Sequence, residues 1–87
     1  TGQIVDGIEK QTRQVFSNLV EVLNSAGTDL KHVVKTTIYL KNIADFAKVN
    51  EIYASYFETH KPVRSTIEAA RLPKDVLIEM DVIAVVK

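Results

Sequence analysis

The chain contains no cysteine, so it can form no disulfide, offer no thiolate nucleophile and build no cysteine-ligated metal site. It has two histidines, His32 and His60, set too far apart for metal-ligand spacing. It has no excess of either charge: eleven basic residues balance eleven acidic ones, and the basic residues are scattered. A neutral chain without a basic stripe lacks the electrostatic footprint of a general nucleic-acid binder. No apolar run approaches the length of a membrane span, and nothing reads as a signal peptide. Proline occurs twice, at Pro62 and Pro73, and both mark breaks between periodic segments. At 87 residues the chain is one domain at most.

Several periodic segments fill this frame. Thr1 to Val5 reads as a short strand fragment. Asp6, with Glu9 three residues on, fits a helix N-cap with its capping-box acid. Ile8, Thr12, Val15, Phe16, Leu19, Val22 and Leu23 then form one stripe at helical spacing, and Gly27 is placed to end the helix in a left-handed conformation. The spacing predicts a helix from about Gly7 to Ala26. A turn started by Thr28 leads into Val33–Leu40, β-branched and aromatic throughout and too apolar on both faces for a solvated edge strand. Simple alternation puts Val34, Thr36, Ile38 and Leu40 on one face and Val33, Lys35, Thr37 and Tyr39 on the other.

Asn42 caps a second helix, whose apolar stripe is Phe46, Val49, Ile52, Tyr53, Tyr56 and Phe57, with Asn50 inside it. His60-Lys61-Pro62 stops that helix. The strand–helix–strand order predicts a parallel pair through a right-handed crossover. The Leu72–Asp75 turn is expected to join two final strands, within Pro62–Val86, as an antiparallel hairpin. Both helices would cover one face of the sheet. The other face, carrying Thr, Tyr, Arg, Glu and aliphatic residues, would need upstream strands or other copies of the chain to cover it.

Two charges sit where the strands are otherwise apolar. Arg64 follows Pro62, and Glu79 lies between Ile78 and Met80. A buried carboxylate is costly unless paired, and a guanidinium is a planar fork that fits one. The partner of Arg64 is open between Glu79, Glu68, Asp81 and a ligand. By residue type alone, a structural Arg64–Glu79 pair is favoured. Glu68 and Asp81 read as solvated or subunit-contact charges, Arg71 as a turn charge, His32 as a surface residue and His60 as a loop residue. Tyr39, Tyr53 and Tyr56 read as core or interface residues.

The segment Pro62-Val63-Arg64-Ser65, with Ile67, Ala70, Leu72 and then Ile78-Glu79-Met80, resembles the signature of the RidA (YjgF) family of reactive-intermediate deaminases. The segments VVKTTIYLKNIADFAKVNEIYASYF and EKQTRQVFSNLVEVLNSAG are similar to that family's middle segment and first helix. The resemblance implies an α+β domain, like the Bacillus-type chorismate mutase, over residues 1–87. It would be a mixed sheet with two helices on one face, in the order (β)-α-β-α-β-β. It implies a homotrimer with active sites in the clefts between subunits, and no cofactor or metal.

The activity implied is hydrolysis of enamines and imines of the 2-aminoacrylate type to 2-keto acids and ammonia, as by a 2-iminobutanoate/2-iminopropanoate deaminase. Arg64 would grip the substrate carboxylate and Glu79 would handle the water or a proton. Asn50, Tyr53, Ser65 and Thr66 would line the substrate site, Thr66 standing where many members have cysteine. This signature turns the preference for Arg64 and Glu79 from a structural pair to a site. The family pattern begins with an N-terminal strand pair lining the cleft, and the chain starts, at Thr1, after it. The location expected is the cytoplasm, or alternatively the mitochondrial matrix. Competing functions are a trimeric module that binds small carboxylates without turnover and, third, a ribonuclease or translation inhibitor.

Overall fold

The computed structural model describes residues 7–86. The expected strand at Thr1–Val5 and the Asp6 cap lie outside the described residues. The described elements are α1 (Ile8–Ser25), β1 (Val33–Leu40), α2 (Phe46–Tyr56), β2 (Val63–Glu68) and β3 (Ile78–Ala84), with single 3-10 turns at Leu30–His32, Ile43–Asp45 and Pro73–Asp75.

Helix α1 begins after Gly7, which has φ 84°, with no side chain capping it, and Glu9 faces Arg13 one turn on at 3.7 Å. Its stripe is as the periodicity predicts except for Val22, which is 64% exposed. The helix ends as predicted. Gly27 takes φ 82°, its N–H reaches the Asn24 carbonyl and the Thr28 N–H reaches Leu23, a pair of bonds that satisfies the last open carbonyls. Asp29, rather than Thr28, caps the following turn; the Thr28 hydroxyl instead donates to the Val85 carbonyl at 2.6 Å, tying the exit of α1 to the end of β3. Asn42 caps the next turn through the Ala44 N–H at 2.9 Å, and that turn runs directly into α2. Helix α2 stops at Tyr56, short of His60.

Strand β1 has the predicted bounds and lies at the centre of a three-stranded sheet of order β2-β1-β3. It pairs with β2 in parallel, as expected, and with β3 antiparallel. The expected β2–β3 hairpin is therefore not formed, because the two strands flank β1 on opposite sides. The connection from 69 to 77 carries the chain across, with Leu72 buried within it and Lys74 and Asp75 both in the left-handed region. A break in register between Val33 and Lys35 alters the predicted alternation. The extra residue turns Val33 inward beside Thr36, Ile38 and Leu40, all fully buried, and leaves Val34 46% exposed.

Both helices pack on the face formed by those residues and by Ile78, Met80 and Val82. Phe16 anchors the layer: it stacks on Tyr56 at 4.3 Å and meets Tyr53 and Phe57 edge-on. The opposite face carries the cross-strand rows Val63–Lys35–Ile83, Ser65–Thr37–Asp81 and Ile67–Tyr39–Glu79. Its apolar members are open, Val63 at 69% and Ile83 at 59% exposed. Arg64, expected on this face, turns to the helix side.

Candidate active site

Arg64 lies on β2 opposite Thr36 of β1. Helix α2 places Phe46, Asn50 and Tyr53 at i, i+4 and i+7, one helical stripe, and this stripe receives the guanidinium. The Arg64 Cζ lies 4.7 Å from the centre of the Tyr53 ring and 5.2 Å from that of Phe46, both within cation–π range. Its Nη1 donates to Asn50 Oδ1 at 2.5 Å. Tyr53 is held in turn, its hydroxyl sharing a 2.9 Å hydrogen bond with the Thr36 hydroxyl in the buried layer. The guanidinium is thus oriented by two rings and one neutral acceptor.

Among the described residues no carboxylate pairs with Arg64. Glu68 is exposed, in keeping with its reading as a solvated charge, and accepts the Ile43 N–H at 2.8 Å at the turn that leads into α2. Asp81 lies on the open face, diagonal to Tyr39 across β1 and β3. Partial burial foremost, then the Asp81 carboxylate and more weakly Glu79, hold the Tyr39 hydroxyl above its ordinary pKa. Of the five N–H donors of a guanidinium, one is taken by Asn50, and among the described residues no other acceptor engages the rest. They open on a cleft of about 320 Å³ lined by Asn50, Tyr53, Ala54, Phe57, Lys61, Pro62 and Arg64.

Glu79 is elsewhere. It lies half-buried on β3, opposite Tyr39, and borders a groove of about 610 Å³ between α1 and the 73–76 segment. Within one chain Arg64 and Glu79 therefore occupy opposite flanks of β1 and opposite faces of the sheet. The predicted site is split accordingly. Arg64, Asn50 and Tyr53 are brought together, and Thr66 follows half-buried on the same side of β2. Ser65 is exposed on the open face with Glu79.

Two contributors were not foreseen, Phe46 and Thr36. Phe46 was legible as a member of the α2 stripe one turn before Asn50. Nothing in local sequence links Thr36 to Tyr53, because their contact depends on how α2 lies on β1. The histidines serve local structure. His32 Nδ1 meets Asp29 at 2.7 Å, and His60 Nε2 donates to the Val33 carbonyl at 2.6 Å, at the register break of β1. Among the described residues no group of three or more His, Asp or Glu is placed to hold a metal ion, and no helix is long and apolar enough to cross a membrane.

A family model described as Endoribonuclease L-PSP matches residues 1–86. A RutC family protein of Pyrococcus horikoshii is 55% identical over 85 residues, covering 97% of this chain and 68% of the relative. A 2-iminobutanoate/2-iminopropanoate deaminase of Salmonella typhimurium is 42% identical, covering 98% of this chain and 69% of the relative. The crystal structure of E. coli TdcF with bound serine superposes with a TM-score of 0.93 at 36% identity, covering all of this chain and 71% of that one.

Proposed function

The chain belongs to the endoribonuclease L-PSP family, the RidA (YjgF) family, and from that premise we propose that it hydrolyses 2-imino and 2-enamine acids to 2-keto acids and ammonia. The observation that carries the reading is Arg64: oriented by Tyr53, Phe46 and Asn50, facing a cleft, and without an acid partner among the described residues. An arginine so held is prepared for a carboxylate from outside, which it can bind through two parallel charge-assisted hydrogen bonds. The similar TdcF carries bound serine, an amino acid with such a carboxylate.

The reaction needs one water. A proton adds to the methylene carbon of 2-aminoacrylate to give the protonated imine, and the later release of ammonia returns that proton. Water bonds to the imine carbon, the C–N bond breaks, and ammonia and pyruvate leave. Glu79 is proposed to pass the proton and position the water, a role whose usual scale is about 10²–10⁴-fold. Because Glu79 and Arg64 of one chain stand on opposite flanks of β1, this reading requires a cleft between copies, as in a homotrimer. Arg64 of one copy would face Glu79 of the next. Ser65 and Thr66 are proposed to line the same cleft.

A second reading, binding without turnover, is favoured by one observation: among the described residues the Arg64 cleft holds no carboxylate or imidazole. RNA cleavage ranks below both, since both histidines are engaged in local structure and the chain is neutral. The test is to generate 2-aminoacrylate with a serine dehydratase and follow its decay. Decay accelerated by the wild-type chain and lost with Arg64→Ala supports turnover. No acceleration, together with saturable binding of 2-oxobutanoate, supports the binding module instead.

A further inference from the structure

The cleft beside Arg64 has a second cation. Lys61, exposed just before Pro62, lines the same space, and among the described residues the rest of the lining is neutral: Asn50, Tyr53, Ala54, Phe57 and Pro62. Among the described residues neither Lys61 nor Arg64 forms an ion pair. The acid closest in sequence, Glu58, lines a different concavity, between the ends of the helices, with Asp29 and His60. In a chain with no net charge, two uncompensated positive charges are thus concentrated on one small cleft.

A single carboxylate neutralises Arg64 and leaves the Lys61 charge without a counter-ion. A ligand with two carboxylates relieves both. Lysine suits the distal position, because its flexible stem carries a point charge that can meet a second carboxylate over a range of lengths. At about 320 Å³ the cleft is near the small end of the roughly 300–1,000 Å³ usual for small-molecule sites. We propose that this site prefers dicarboxylic 2-imino acids and their 2-keto products, with Arg64 holding the α-carboxylate and Lys61 the distal one. The proposal rests on the reading of Arg64 as carboxylate anchor and adds the substrate class.

Calorimetric titration at low ionic strength with two acids of matched carbon skeleton, 2-oxoglutarate and 2-oxopentanoate, tests it. The wild-type chain should bind 2-oxoglutarate about two- to fivefold more tightly, the scale of one exposed charge contact. Raising the salt concentration should shrink that difference. Lys61→Met keeps the apolar stem and removes the charge. It should weaken 2-oxoglutarate more than 2-oxopentanoate and bring the two affinities together. Equal or weaker binding of 2-oxoglutarate by wild type, or a preference surviving in Lys61→Met, would overturn the proposal. Arg64→Gln separates it from the reading beneath it. Loss of both acids in Arg64→Gln with no effect of Lys61→Met removes the dianion preference alone. Unchanged 2-oxopentanoate binding in Arg64→Gln, or no saturable binding of either acid by wild type, removes the anchor as well.

Discussion

Thr36 and Tyr53 offer a sharp test of how the site is built. Their hydroxyls share one 2.9 Å hydrogen bond, Thr36 is fully buried and Tyr53 is 6% exposed. Removing either hydroxyl strands the other without water, at a cost of about 1–3 kcal/mol. Removing both leaves two apolar surfaces of nearly the same shape, which can be close to neutral. Thr36→Val and Tyr53→Phe should therefore each lower the melting temperature by about 4–8 °C per kcal/mol lost, and the double variant should recover most of the loss. Denaturant unfolding of the four proteins at one fixed concentration gives the coupling directly, with about 1–2 kcal/mol expected. Tyr53→Phe keeps the ring beneath Arg64, so the KM for an imino acid should move little beyond what stability explains. Effects that add with no coupling would refute the paired burial of the two hydroxyls.

Other outcomes follow from the same structure. Phe16→Ala removes the ring on which Tyr53, Tyr56 and Phe57 converge and should cost about 3–5 kcal/mol, read by chemical denaturation. The Tyr39 hydroxyl has a raised pKa in the folded chain, so its contribution is complete below the unfolded value of about 10 and is lost as pH rises through the folded one. Stability should fall at strongly alkaline pH, and Tyr39→Phe should flatten that fall in a pH series of melts. Val63 and Ile83 lie exposed in one row of the open sheet face. If copies assemble through that face, Ile83→Asp should shift the sedimentation coefficient toward the monomer, while an unchanged value would place the assembly surface elsewhere.

Much of the fold was legible because its signals are local. The β-branched run Val33–Leu40 has the bounds of β1, and Gly27 ends α1 in the conformation only glycine adopts freely. The hairpin misreading came from treating neighbours in sequence as neighbours in the sheet. The corrective clue was in β1 itself, since a strand apolar on both faces belongs in the centre, and a β2–β3 hairpin would have left it at an edge. Its register break was not legible, because no glycine or proline marks Val33–Lys35. The grouping of Arg64 with Asn50 and Tyr53 came through the family resemblance, since residue type alone favoured an Arg64–Glu79 pair. The separation of that group from Glu79 was not legible, because it depends on which flank of β1 each strand takes.

The separation of Arg64 from Glu79 is the central claim, and complementation tests it most directly. Arg64→Ala and Glu79→Gln are each expected to lose 2-aminoacrylate hydrolysis. If the two residues act together only across copies, unfolding the two variants together and refolding them should restore activity at about one cleft in four of a randomly mixed cyclic assembly. If both residues act from the same chain, no mixed assembly contains an intact pair and activity stays absent. Restored activity is the predicted result, and its absence in correctly folded, mixed assemblies would contradict the account.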